Sequence, residues 1–301
     1  MNKIRGQIDI EHLSKTYGKF VALDNITLSF DGGKIHGLLG RNGAGKTTLL
    51  HLINAHLFPS AGQIRIDGET PFENPAVLRK ICFIRESGNF KPNFKIKDVL
   101  ELAQLAYPNW DQDFAQQLLG VFNLDPSKKV KALSKGMGSA LGVIVGLASR
   151  AEVTIFDEPY IGMDVVHRQQ FYDLLVEDYS RYPRTIILST HLIDEVSKVF
   201  EGVVILDQGR VLMQEETDTL RQKAFYLRGE ANQVDQLSQG LKVIHEEKLG
   251  TTKEVAVLGE RSHELDLQAK QLAVTIESVP IQKLMVYLTT QTERGAQHAS
   301  V

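Results

Sequence analysis

Residues Gly40 to Thr47 read Gly-Arg-Asn-Gly-Ala-Gly-Lys-Thr. Two glycines bracket four residues and a Lys-Thr pair follows, the spacing of a loop that cradles phosphate. The stretch before it, Lys34-Ile35-His36-Gly37-Leu38-Leu39, is apolar enough for a short buried strand. The stretch after it, Thr48-Leu49-Leu50-His51-Leu52-Ile53, has a helical pattern. A phosphate loop requires this strand–loop–helix context, and a plain Gly-rich turn is the bland alternative. The glycines let backbone N–H groups turn inward toward phosphate oxygens. Lys46 is expected to reach the β- and γ-phosphates, and the Thr47 hydroxyl to hold Mg²⁺. The helix N-terminus favours the α-phosphate. Gly40, Asn42, Gly43, Gly45, Lys46, Thr47 and Thr48 are therefore the candidate nucleotide-binding residues of the loop.

Farther along, Val153-Thr154-Ile155-Phe156-Asp157-Glu158 is a short apolar run ending in two carboxylates. It reads as a buried parallel strand with acids at its carboxyl end, where open α/β sheets place ligands. Asp157 is expected to hold Mg²⁺ through water. Glu158 is expected to orient or deprotonate the water that attacks the γ-phosphate. Taken alone, an Asp-Glu-Pro surface turn would explain the same residues.

Other motifs follow in a fixed order. They are Leu133-Ser134-Lys135-Gly136-Met137, then Asp157-Glu158-Pro159, then Ile161-Gly162-Met163-Asp164, then Ser189-Thr190-His191, with Lys15-Thr16-Tyr17-Gly18 upstream. In this order they resemble the nucleotide-binding subunit of an ABC transporter over about residues 5 to 220. The resemblance implies that Ser134 and Gly136 contact the γ-phosphate of ATP bound to a second chain. It makes Asp164 a contact at that dimer junction, His191 the switch histidine at the γ-phosphate, and Tyr17 the aromatic that stacks on adenine. The family usually has Leu-Ser-Gly-Gly-Gln at the signature, so Lys135 and Met137 depart from it. Tyr107-Pro108-Asn109-Trp110-Asp111, with Lys-Gly-Met in the signature, is similar to a bacterial branch of drug- and peptide-export ATPases.

Several of these residues have plainer explanations. Ser134 and Asp164 suit helix N-caps, and capping does not exclude a second role. His191 suits a cap or a satisfied core polar group, and Tyr17 a half-buried aromatic at a strand end. Glu86 stands in Arg85-Glu86-Ser87, where the family normally has the glutamine that senses Mg²⁺. A carboxylate can ligate Mg²⁺ there, and a solvated surface acid is the alternative.

A chain of 301 residues is long enough for one large domain and a smaller one. Its 34 basic and 37 acidic side chains nearly balance, which argues against a general polyanion binder, and no nucleic acid partner is expected. Cys82 is the only cysteine, so no disulfide framework exists within the chain. Met1-Asn2-Lys3-Ile4-Arg5 lacks the apolar core of a signal peptide, and no apolar run reaches membrane-span length. The expected location is cytoplasmic, peripheral at the inner face of the cell membrane.

The expected fold is α/β: a P-loop NTPase core with an antiparallel β subdomain and a helical signature subdomain, plus a small C-terminal α+β domain. Strands are expected at 7–13, 20–30 and 63–68, helix over 95–130, then strand 153–157, a helix from 165, strand 185–190, a helix at 192–200 and strand 203–207. Beyond about residue 220, strands at 224–228 and 254–258 alternate with helices at 234–241 and 264–272, followed by a closing helix near 280–290. The expected divisions are 1–220 for the nucleotide-binding domain, 221–291 for the accessory domain and 292–301 for a polar, frayed tail.

The resemblance implies an ATP-binding and hydrolysing subunit, of exporter type, that needs ATP and Mg²⁺. It implies dimerisation with a second ABC ATPase chain, identical or different, and a separate transmembrane permease. The rival readings are a non-transport ABC ATPase and a weakly hydrolysing regulatory ATP-binding module.

Overall fold

The computed structural model describes residues 5–298. The chain opens with β1 (Ile8–Tyr17) and β2 (Phe20–Phe30), followed by β3 (Ile35–Leu39) and α1 (Lys46–Ile53). Next come β4 (Ala61–Ile66), α2 (Pro75–Leu78), β5 (Ile81–Ile84), α3 (Ile96–Ala106), α4 (Gln112–Val121) and α5 (Lys135–Ser149). The core resumes with β6 (Val153–Asp157), α6 (Val165–Arg181), β7 (Thr185–Thr190), α7 (Ile193–Val196), β8 (Gly202–Asp207) and β9 (Arg210–Glu216). The remainder is α8 (Thr217–Lys223), β10 (Ala224–Glu230), α9 (Ala231–Leu237), β11 (Val243–Leu249), β12 (Thr252–Leu258), α10 (His263–Gln271), β13 (Thr275–Ser278) and α11 (Ile281–His298).

These elements form two compact units. One runs through His191 and returns for Val204–Gln214; the other takes Leu192–Val203 and the chain from Glu215 onward.

The first unit is built on a six-stranded sheet of order β5-β6-β7-β3-β8-β9. The pairs β5–β6, β6–β7 and β7–β3 are parallel. Every residue of β3, β6 and β7 is buried. Parallel strands covered on both faces need apolar side chains pointing both ways, and that need explains their unbroken apolar runs. Asp157 lies opposite Ser189, and Leu39 opposite Thr190. The carboxyl ends of three adjacent strands therefore align, and the phosphate loop leaves from one of them.

A three-stranded antiparallel sheet, β2-β1-β4, carries alternating buried residues such as Ile8, Ile10, Ile64 and Ile66 into the same hydrophobic cluster as α1. The helical region expected over 95–130 divides into α3 and α4. Pro108 disfavours helix at the residue before it, and Asp111 restarts the helix by accepting the Phe114 N–H at 2.8 Å. The helix expected at 192–200 is confined to α7.

The second unit has the order β-α-β-β-α-β, from β10 to β13, with strands arranged β11-β12-β10-β13 and every neighbouring pair antiparallel. This is the split βαβ, ferredoxin-like arrangement. Phe225, Leu227, Val255 and Val257 of the central strands pack with Val234 and Leu237 of α9 and with Leu265 and Ala269 of α10. α11 contributes Tyr287, whose ring stacks on His245 at 4.1 Å and whose hydroxyl meets that of Tyr226 at 3.1 Å. The segment expected as a frayed tail, 292–301, is helical as far as His298, and its last residues lie outside the described residues.

Candidate nucleotide-binding site

The phosphate loop is fixed at both ends by burial. β3 is fully enclosed on one side, and Leu49, Leu50, Leu52 and Ile53 of α1 are buried on the other. Gly45 caps α1 at φ 105°, in the left-handed region, and a Cβ there would stand 2.8 Å from the Ala22 carbonyl oxygen. Only glycine meets both demands. Lys46 is 7% exposed and donates from Nζ to the carbonyls of Gly40 at 2.7 Å and Arg41 at 3.2 Å. Burial pushes its pKa below the usual lysine value, while Glu158 and Asp157 pull it back up. A cation held in such a site interacts strongly with phosphate oxygens.

Thr47 Oγ1 donates to Asp157 Oδ2 at 2.9 Å. Asp157 is 3% exposed, and its other oxygen, Oδ1, is buried without a hydrogen-bond partner among the described residues. A native buried carboxylate oxygen rarely goes unpartnered. An orphaned carboxylate oxygen beside a threonine hydroxyl is the donor chemistry of a hard divalent cation that keeps several waters. The residues present therefore fit Mg²⁺.

Glu158 follows at φ 52°, a left-handed conformation that costs a non-glycine residue about 1–2 kcal/mol. Its backbone N–H donates to the Ser189 carbonyl at 3.1 Å, which holds the turn against β7. The carboxylate oxygen Oε2 accepts from His191 Nδ1 at 2.7 Å and also from the Tyr160 hydroxyl. Tyr160 is 2% exposed, and its hydroxyl additionally meets Thr190 Oγ1 at 2.7 Å and the His191 N–H at 3.2 Å. Burial raises the phenol pKa, and the Glu158 bond and charge raise it further, so the phenol stays protonated and donates. Sequence reasoning missed Tyr160. The available signal was its place two residues beyond Glu158, where a tight turn can return a long side chain to its neighbour.

The structure thus brings Lys46, Thr47, Asp157, Glu158 and His191 to one edge of the sheet. The signature residues form a second group. Ser134 caps α5 by accepting the Met137 N–H at 3.2 Å. Gly136 lies so close to Gly162 that a Cβ on it would collide with the Gly162 carbonyl. Ser139 Oγ donates to the Ile161 carbonyl at 2.7 Å, fastening the same two stretches. Asp164 caps α6, accepting the His167 N–H at 2.9 Å and facing His167 Nδ1 at 2.8 Å. The first of these bonds leads the causes that hold its carboxyl below the usual range.

Tyr17 ends β1, exposed, with Lys15 Nζ 5.1 Å from the centre of its ring. Glu86 accepts from Lys135 Nζ. No hydrogen bond among the described residues joins Tyr17, Ser134, Gly136 or Asp164 to the Lys46–Asp157–Glu158 group. Among the described residues there is also no helix long and apolar enough to cross a membrane.

A Gly-rich loop between a strand and a helix, a strand-end Asp-Glu pair and a strand-end histidine on this sheet are the arrangement of a P-loop NTPase fold. The family model for ABC transporters matches residues 23–161. The bacitracin transport ATP-binding protein BcrA of Bacillus licheniformis is 30% identical over 214 residues, 70% of each chain. The ABC transporter ATP-binding protein YtrB of Bacillus subtilis is 27% identical over 216 residues, covering 72% of this chain and 74% of that one. The solved structure of an ATP-binding subunit of an ABC transporter superposes with a TM-score of 0.64 at 27% identity, covering 71% of this chain and 91% of the other. The chain belongs to the ABC transporter family and is one of its ATP-binding subunits.

Proposed function

We propose that this subunit hydrolyses MgATP at the Lys46–Asp157–Glu158 group and uses the cycle to drive a separate membrane-spanning permease. The observation that carries this reading is the meeting of Thr47, Asp157, Glu158 and His191 where three strand ends align. The loop N–H groups and Lys46 hold the outer phosphates. Thr47 and Asp157 are the residues for Mg²⁺, which when bound neutralises charge on the β- and γ-oxygens. Glu158 orients the attacking water and accepts its proton. His191 is half-exposed and offers a ring nitrogen to the γ-phosphate once it turns from Glu158. Tyr17 stacks on adenine, and Glu86 is a further candidate for the metal.

In this reading two such chains close on nucleotide, each presenting Ser134, Gly136 and Asp164 to the ATP of the other. Residues up to about 220 form the nucleotide-binding domain, and those from 221 to 291 an accessory domain. The working place is the inner face of the cell membrane. Export is the direction favoured by the resemblance of the 107–111 segment, and a drug- or peptide-like cargo fits the bacitracin transport in the name of BcrA.

The test is steady-state ATPase activity with and without Mg²⁺, with Lys46→Ala as the control, followed by affinity isolation from membranes. Metal-dependent turnover lost in the variant, and co-isolation of a multi-span protein, are the expected results. Turnover that is indifferent to Lys46 would contradict the catalytic assignment. Failure of any multi-span protein to co-isolate from membranes would contradict the transport assignment.

A further inference from the structure

We propose that Tyr160 is the positioning residue for Glu158, holding its carboxylate in place while His191 exchanges partners. This rests on the hydrolytic reading above and adds to it a residue that neither the motifs nor the family match assigns.

The hydrogen-bond directions follow from the groups involved. A phenol has one proton to give and lone pairs with which to accept. The Glu158 carboxylate only accepts and the His191 N–H only donates, so the phenol proton goes to Oε2 and the His191 N–H points at the phenol oxygen. Thr190 Oγ1, at 2.7 Å, completes the arrangement. The tyrosine ring is buried and stands edge-on to the His191 ring at 5.8 Å, so the hydroxyl has little room to wander. Tyr160 therefore ties the end of β6 to the end of β7 through one oxygen atom.

The arrangement also divides labour within the carboxylate. Tyr160 and His191 Nδ1 both bond Oε2, so in this reading Oε1 is the oxygen left to act on the water. When His191 turns to a phosphate, one of the two donors to Oε2 is lost. The Tyr160 bond does not depend on that movement and keeps the carboxylate aimed. A charge-assisted bond of this kind is about twice as strong as a neutral one. Small errors in placing a catalytic group cost about 10- to 100-fold in rate.

Tyr160→Phe keeps the ring and removes only the hydroxyl. With turnover normalised to titrated nucleotide sites, kcat is expected to fall about tenfold or more. KM for ATP and the equilibrium Kd for MgATP should stay close to wild type, while the melting temperature falls slightly because the buried Thr190 hydroxyl loses a partner. Tyr160→Phe should also lower kcat in a His191→Ala background, where the phenol is the remaining donor to Oε2. A wild-type kcat in Tyr160→Phe, alongside wild-type turnover that requires Lys46, would overturn the role of Tyr160 alone. So would a joint loss of MgATP affinity and melting temperature with kcat, which marks a merely structural role. Absence of Lys46-dependent turnover in the wild type would overturn the hydrolytic reading and this inference with it.

Discussion

Lys135 Nζ lies 3.3 Å from Glu86 Oε1, so two of the residues that depart from the pattern the sequence resembles are bonded to one another. Gly162 carries no Cβ, and one placed there would stand 3.0 Å from Lys135 Cβ. Lys135 therefore starts α5, passes beside Gly162 and ends on Glu86.

The pair gives Glu86 a test with two signs. Lys135→Ala frees the carboxylate, and Glu86→Gln removes its charge. If Glu86 reaches the metal, the Mg²⁺ concentration giving half-maximal turnover should fall in the first variant and rise in the second. Both side chains are more than half exposed, so neither variant should shift the melting temperature measurably. Superimposable Mg²⁺ titrations for both variants would assign Glu86 to the solvated surface.

Lys46→Ala removes a buried cation held among loop carbonyls. Charge-assisted bonds to phosphate contribute about 1.5–3 kcal/mol, so MgATP affinity should weaken roughly 10- to 100-fold. Equilibrium binding to a fluorescent ATP analogue reads this directly. An unchanged Kd would mean that Lys46 does not touch the phosphates.

Glu158→Gln keeps the size of the side chain but cannot take a proton. Thr47, Lys46 and Asp157 are untouched, so ATP should still bind while turnover falls by orders of magnitude. The variant should accumulate as an ATP-bound dimer by size exclusion in MgATP. Ser134→Arg in the same background should keep it monomeric. Wild-type turnover in Glu158→Gln would remove Glu158 from the reaction.

Gly136→Ala should destabilise the fold without touching the phosphate loop. The added methyl group meets the Gly162 carbonyl, a backbone atom that cannot rotate away. Forced overpacking of this kind costs about 1–3 kcal/mol. Chemical denaturation would show a lower midpoint, and an unshifted midpoint would mean that the two stretches part easily.

What the sequence made legible follows from burial. β3, β6 and β7 are enclosed on both faces, so they appear as apolar runs that end in informative polar residues. β9, with only exposed and half-buried residues, and β11, with Glu246 to Leu249 all exposed, leave no comparable apolar signature, and neither was anticipated. β13 is four residues long and too short to show a period. The Lys135–Glu86 pair joins residues 49 positions apart, a distance that no local pattern encodes. Tyr160 was overlooked because an aromatic after Asp-Glu-Pro reads as packing, and only the fold shows where its hydroxyl points.

The chain passes from one unit to the other after His191, after Val203 and after Gln214. An appendage on a single linker can be cut off or exchanged at that linker. Here the second unit also claims Leu192–Val203, in which Ile193, Val196 and Phe200 are buried and α7 packs on α11. Removing only the residues beyond about 222 would strip α11 from α7. Any graft or replacement of the accessory unit must therefore carry the segment that begins at the peptide bond after His191.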